Sequence, residues 1–352
     1  MKLGIIGLFG AGKTTFFNSL TQKGASNNHS KDPTLGIATI PDNRLIFLEK
    51  LYNAKKVTHA TIEFMDIVGT NSSGVGKQLL NFVREVDALI HVVRCFEDDS
   101  NPHPKGSINP IRDIEAINLE LIFSDLEIVE KRIIKTTKEA KVNKSLSTEL
   151  VLLDKLKQTL EEGKLLKSQE YDDNEKTMLR GFNLLSLKPV IYVANILLDD
   201  VGKEIAHFGD IVAYAKEEGS LVLDICAQIE EEIANLPEQD RAPFLEDLGI
   251  EESGLNRLIF ESYSLLGLIS FLTAGEKEVR AWTIKQGIKA PEAAGKIHSD
   301  IERGFIRAEV VSYEALQKAG TFLDAKKQGE VRLEGKDYIV KDGDIINFRF
   351  NV

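Results

Sequence analysis

The chain has little that would cross-link it or anchor it in a bilayer. Only Cys95 and Cys226 occur among 352 residues, both in apolar runs and without C-x-x-C spacing. A disulfide framework and a zinc site are therefore not expected. No apolar stretch approaches the roughly 20 residues of a membrane span, and no leader pattern precedes the first strand-like residues. The expectation is a soluble cytoplasmic protein with no membrane partner. A basic excess is also lacking: 44 Lys and Arg stand against 55 Asp and Glu, a net charge of −11. That argues against nucleic-acid binding over the whole surface. Residues 279–352 depart from this, with 13 basic against 11 acidic side chains. They permit a local RNA contact, without DNA specificity. The six histidines show no metal-ligand spacing, and His91, inside an apolar run, reads as a satisfied core residue. Hydrophobic content of 43% is ample for a core, and the length suggests two or three domains.

The most informative stretch is Gly7-Leu8-Phe9-Gly10-Ala11-Gly12-Lys13-Thr14. It fits G-x-x-x-x-G-K-[ST] and lies between a short strand-like run and an amphipathic helical run. Such a turn makes an anion cradle, in which backbone N–H groups and the positive end of a helix face a phosphate. Gly7, Phe9, Gly10, Ala11, Gly12, Lys13, Thr14 and Thr15 would line it. Lys13 would reach the β- and γ-phosphates and Thr14 would ligate Mg²⁺.

Apolar runs at 3–6, 61–67, 88–93, 189–194 and 221–225 alternate with helical patterns. This predicts a doubly wound α/β sheet. From 111 to 180 the texture changes, with one glycine, no proline and many Glu, Lys and Leu. Leu119, Ile122, Leu126, Val129 and Ile133 recur at helical spacing, as do Leu150, Leu153, Leu156 and Leu160. They predict an inserted antiparallel helical hairpin turning within 141–147. From 279 onward, short strands at 281–284, 305–311, 331–333, 338–340 and 345–350 predict a β-grasp module. The expected division is a nucleotide domain over 1–110 and 186–278, a helical insertion over 111–185, and a C-terminal domain over 279–352.

A second nucleotide motif follows the first. The strand pattern at 61–67 ends in Asp66-Ile67-Val68-Gly69, a D-x-x-G. Asp66 can hold a Mg²⁺-bound water and the Gly69 N–H can bond the γ-phosphate. Asn195 ends another apolar run, where switch-type NTPases place a base-reading residue; Ile196 follows it. Cys226 and Ala227 follow the next strand and would close the base pocket through main-chain N–H groups.

These residues resemble the YchF, or Obg-like ATPase, family. The resemblance rests on Arg84-Glu85-Val86-Asp87 through Asp98, on Tyr192-Val193-Ala194-Asn195, on Phe271 through Trp282, and on Ala290-Pro291 through Arg307. It implies a Ras-like nucleotide domain, a coiled-coil insertion and a C-terminal TGS domain. It also implies a cytoplasmic NTPase that prefers ATP and associates with the ribosome or its RNA; a monomer is expected. Three positions depart from the family pattern. Gly10 replaces an Asn associated with a monovalent cation. Leu198 replaces the acidic residue of N-x-x-E, so strict guanine selection is not expected. Thr70 replaces a hydrophobic residue, and no Gln follows Gly69 to orient water. Ser30 aligns with the switch Thr that binds Mg²⁺, with Thr34 as competitor. Catalysis would rest on Lys13 and Gly69, the metal on Thr14, Ser30 and Asp66, with slow turnover unless a partner assists. Two other classes fit the phosphate loop: a nucleotide-regulated binding protein with little hydrolysis, and a small-molecule kinase, which the D-x-x-G disfavours.

Overall fold

The apolar runs near the N-terminus fold as the buried strands their composition predicts. The computed structural model describes residues 1–21, 33–67, 70, 71, 74, 75, 77–143 and 146–351. In chain order the elements begin with β1 (Lys2–Ile6), α1 (Lys13–Thr21), β2 (Thr34–Thr39), α2 (Asn43–Tyr52), β3 (Val57–Thr58) and β4 (Thr61–Asp66). Next come β5 (Thr70–Asn71), β6 (Gly74–Val75), α3 (Lys77–Arg84), β7 (Ala88–Arg94), α4 (Pro110–Ala140), α5 (Ser147–Glu161) and α6 (Asp173–Leu179). Then follow β8 (Val190–Asn195), α7 (Phe208–Glu217), β9 (Leu221–Ile225), α8 (Ala227–Asn235), α9 (Glu238–Asp247) and α10 (Gly254–Leu265). The last are β10 (Leu268–Ala274), β11 (Val279–Lys285), α11 (Ala290–Ile297), α12 (Ser299–Arg303), β12 (Phe305–Ser312), α13 (Tyr313–Ala319), α14 (Phe322–Lys327), β13 (Arg332–Glu334) and β14 (Asp344–Phe350). They form two units: residues 1–38 with 63–255, and 39–62 with 256 onward.

The first unit holds a six-stranded sheet in the order β2-β4-β1-β7-β8-β9. From β4 to β9 neighbouring strands run parallel, with Ile5 opposite Asp66 and Ile90, and Arg94 opposite Asn195. Every residue of β7 and β8 is buried, as strands covered on both faces should be. Leu89, Val93 and Tyr192 share a core with Ile114, Ile117 and Leu121 of α4 and with Ile211 of α7. Strand β2 was not foreseen, because Gly36 interrupts its apolar pattern. A Cβ there would meet Thr21 Cγ2 at 2.1 Å, so a short residue lets β2 lie against α1.

The helical segment forms as expected. Asn109 caps α4 by accepting from Arg112 N, with Pro110 at the first helical position. Ile122 and Val129 of α4 pack with Leu152, Leu153, Leu156 and Leu160 of α5. Leu119 does not join them: it is 42% exposed. Asp125, fully buried, accepts from Leu185 N, Ser186 N and Ser186 Oγ at 2.9, 2.7 and 2.7 Å, fastening α4 to the turn before β8.

The second unit holds a six-stranded mixed sheet, β13-β12-β14-β10-β11-β3, covered by helices in a β-grasp arrangement. Phe271, Ile284, Ala290, Ala293, Phe305, Val310 and Phe348 form its core. Three expectations are corrected here. The boundary at 279 falls inside the antiparallel β10–β11 hairpin, so the sheet starts at Leu268. No strand forms at 338–340; Ile339 makes a single bridge to Lys289. Residues 39–62, assigned to the nucleotide domain, belong to this unit. Leu45 and Leu48 of α2 are fully buried, and the Phe47 ring meets Tyr313 edge-on at 5.6 Å. Arg44 Nη1 donates to Asp342 Oδ2 at 2.6 Å, and β3 pairs in parallel with β11, Val57 opposite Val279.

Candidate functional site

Ends of the parallel strands, where doubly wound sheets bind ligands, bring the expected phosphate residues together. The glycine turn leaves β1 and enters α1 at Lys13. No acidic residue stands in the first turn of α1 itself. Two glycines are dictated by close approach. A Cβ on Gly7 would sit 2.3 Å from Val92 O, where the loop crosses β7. A Cβ on Gly12, whose φ is +89°, would sit 2.3 Å from Asn195 Nδ2. Ala11 is buried, Thr15 is half-buried, and Phe9 at the loop crest is 58% exposed.

Lys13 is buried, and its Nζ donates to Leu8 O at 2.8 Å. Burial pulls its ammonium down to about 8, while nearby Asp66 pushes the other way. Asp66 is buried too, and desolvation raises its carboxyl above the ordinary range, opposed by Lys13 and Thr14. Thr14 Oγ1 donates to Asp66 Oδ2 at 3.2 Å. Asp66 Oδ1 is buried without a hydrogen-bond partner. A hydroxyl and an orphaned carboxylate oxygen beside a phosphate cradle suit Mg²⁺, which takes one or two protein oxygens and keeps its water. Ser30 and Gly69, expected at the metal and the γ-phosphate, lie outside the described residues. Of Thr70 only the strand position is described.

The base-side residues are arranged differently from the expectation. Asn195, buried at the end of β8, donates from Nδ2 to Ala11 O at 2.9 Å. Its Oδ1 accepts from Ala227 N at 3.1 Å. Asn195 therefore ties the phosphate loop to the start of α8, and the Ala227 amide is already engaged. Ile196 is buried with its N–H on Ile225 O, and Cys226 is buried at the N-cap of α8. Leu198, 41% exposed, opens a one-turn 3-10 helix, Leu198–Asp200.

Sequence reading missed the loop after β7. Arg94 ends that strand, 3% exposed, and reaches Asn101 O. His103 Nε2 lies 2.8 Å from Asp113 Oδ2, both side chains nearly inaccessible. Arg94, Glu97, Asp98 and His103 line a cavity of about 200 Å³. The available signal was a charged residue closing a strand that is apolar but for His91. His91 is not satisfied as expected: its Nδ1 is buried without a partner, and burial pulls the ring down to about 3, so it is neutral.

A five-strand parallel run with a glycine cradle, a lysine and a helix start at its carboxyl edge defines a P-loop NTPase fold. Residues 2–131 match the family model described as 50S ribosome-binding GTPase. Residues 268–351 match the C-terminal YchF-GTPase model, described as a protein of unknown function. The ribosome-binding ATPase YchF of Bacillus subtilis is 48% identical over 366 residues, with 100% of both chains covered. That of Haemophilus ducreyi is 44% identical over 361 residues, covering 100% of this chain and 99% of the relative. The solved YchF GTPase of Schizosaccharomyces pombe matches with a TM-score of 0.91 at 32% identity, covering 99% of this chain and 97% of that one. The chain belongs to the YchF family.

Proposed function

We propose that this chain is a Mg²⁺-dependent P-loop NTPase that binds ATP at least as well as GTP, hydrolyses it slowly, and associates with the ribosome as a nucleotide switch. The observation that carries the reading is the convergence of Lys13, Thr14 and Asp66 at the phosphate loop. Thr14 and Asp66 would hold Mg²⁺, which when bound neutralises charge on the β- and γ-phosphates. Lys13 would leave Leu8 O for the phosphates, and the loop amides would hold the oxygens in place. Ser30 and the Gly69 N–H would respond to the γ-phosphate, making loop order a readout of nucleotide state. Leu198 offers no acceptor for guanine N1 and N2, so base choice would rest on shape and main-chain groups. Ribosome association is supported by the relatives' names and by the family model over 2–131.

Side-by-side calorimetric titration of ATP and GTP tests the reading. Affinity for ATP equal to or above that for GTP is expected, with Lys13→Ala weakening both on the order of 100-fold, roughly 3 kcal/mol. Unchanged affinity in Lys13→Ala would overturn it. Phosphate release then separates slow turnover from a fast intrinsic rate, which would refute partner dependence. Binding without turnover, ribosomes included, would favour the nucleotide-regulated binding protein.

A further inference from the structure

Arg94 is a buried cation beside an anion cradle, with no ion-pair partner among the described residues. Its Nε donates to Phe96 O at 3.0 Å and its Nη1 to Asn101 O at 2.9 Å. The guanidinium also lies 4.7 Å from the centroid of the Phe96 ring. These partners are neutral. Among the described residues no Asp or Glu forms an ion pair with Arg94; half-buried Asp98 feels its charge without pairing with it. Taking a charge out of water is unfavourable unless an opposite charge offsets it. Neutral carbonyls and a ring face offset part of that cost, and an anion would offset more of it.

The phosphate loop shows where it would come from. A Cβ on Gly10 would lie 3.2 Å from Arg94 Nη1 and 3.2 Å from Asn101 Nδ2. Glycine at this loop position thus leaves the space into which the guanidinium projects. Arg94 reaches that space from the end of β7, one strand away from β1, which feeds the loop. Two hydrogen bonds to main-chain oxygens use only part of its five N–H donors. The remaining donors suit phosphate oxygens, which guanidinium recognises in planar pairs.

We propose that Arg94 is a second protein cation of the phosphate site, its counterion the polyphosphate of the bound nucleotide, contacted across Gly10. The inference rests on the reading of the loop as a nucleoside-triphosphate site. Its contribution scales with phosphate charge: greatest for a triphosphate, smaller for a diphosphate, absent for a nucleoside. A residue that merely props the loop over 96–101 has no such gradation.

The test is calorimetry on the full chain with Mg²⁺ and ATP, ADP, adenosine or inorganic tripolyphosphate. Arg94→Gln is expected to weaken ATP and tripolyphosphate at least tenfold, ADP less, and adenosine not at all. Arg94→Lys should recover part of the loss. Equal losses for ATP and adenosine would reduce Arg94 to a prop and overturn the proposal, as would full tripolyphosphate affinity in folded Arg94→Gln. Should that variant fail to fold, the wild-type Arg94 Nε resonance gives the answer. It should shift with tripolyphosphate and not with adenosine; no shift at saturation refutes the contact. A wild-type chain that binds no triphosphate removes the site reading itself, and this inference with it.

Discussion

Lys13 is the residue of the phosphate loop whose chemistry burial changes. Free of ligand, its ammonium is held down to about 8 by desolvation, with only Asp66 opposing. A bound phosphate would raise it again, so the complex holds the proton more tightly than the free protein. Above about 8, binding must then take up a proton. Nucleotide affinity should be flat below that pH and fall by up to tenfold per unit above it. Titrations in buffers of differing ionisation heat would show the proton uptake, and Lys13→Ala should abolish both effects. A pH-independent affinity from 7 to 10 would contradict this. The phosphate-loop motif made Lys13 and Thr14 legible in sequence, and the D-x-x-G at a strand end made Asp66 so. Asn195 was legible only as a strand end. That its two ends join Ala11 to Ala227 depends on atoms far apart in the chain.

At the level of elements, two junctions are sensitive. Gly12→Ala would force a Cβ onto Asn195 Nδ2 at a positive φ. A cost of roughly 2–4 kcal/mol is expected from strain and displacement. Thermal denaturation should show it, together with weaker ATP binding from the displaced loop. Asp125→Ala would strip the acceptors from Leu185 N and Ser186 N inside the protein. About 3 kcal/mol of destabilisation is expected by urea unfolding. Nucleotide affinity measured well below the midpoint should stay within about threefold, a change of under 1 kcal/mol. Elements with strong periodicity, such as β7, β8 and α4, could be read from sequence because burial on both faces or along one stripe leaves a local pattern. Strand β2 could not, since Gly36 serves α1 rather than the strand. Leu119 shows the converse, an apolar residue in register that packing leaves exposed.

For the whole molecule, the least legible feature was the membership of 39–62. Its partners lie far along the chain, so no local pattern announces the pairing. Arg44→Ala would remove the donor to Asp342 and the fork on Asp42. Both sites are partly wet, so only about 1 kcal/mol is expected. Hydrogen exchange should therefore quicken in α2 and β3 while the nucleotide-domain strands keep their protection; unchanged α2 protection would contradict the fastening. The same excursion sets a timetable for synthesis. Val57 emerges about 220 residues before Val279, its strand partner. At roughly 5–20 residues per second, α2 waits some 10–45 s with Leu45 and Leu48 uncovered. The C-terminal sheet cannot mature from its own stretch of chain alone. A fragment beginning at 256 would lack one edge strand and a helix, and should be recovered folded only when 39–62 is supplied alongside it.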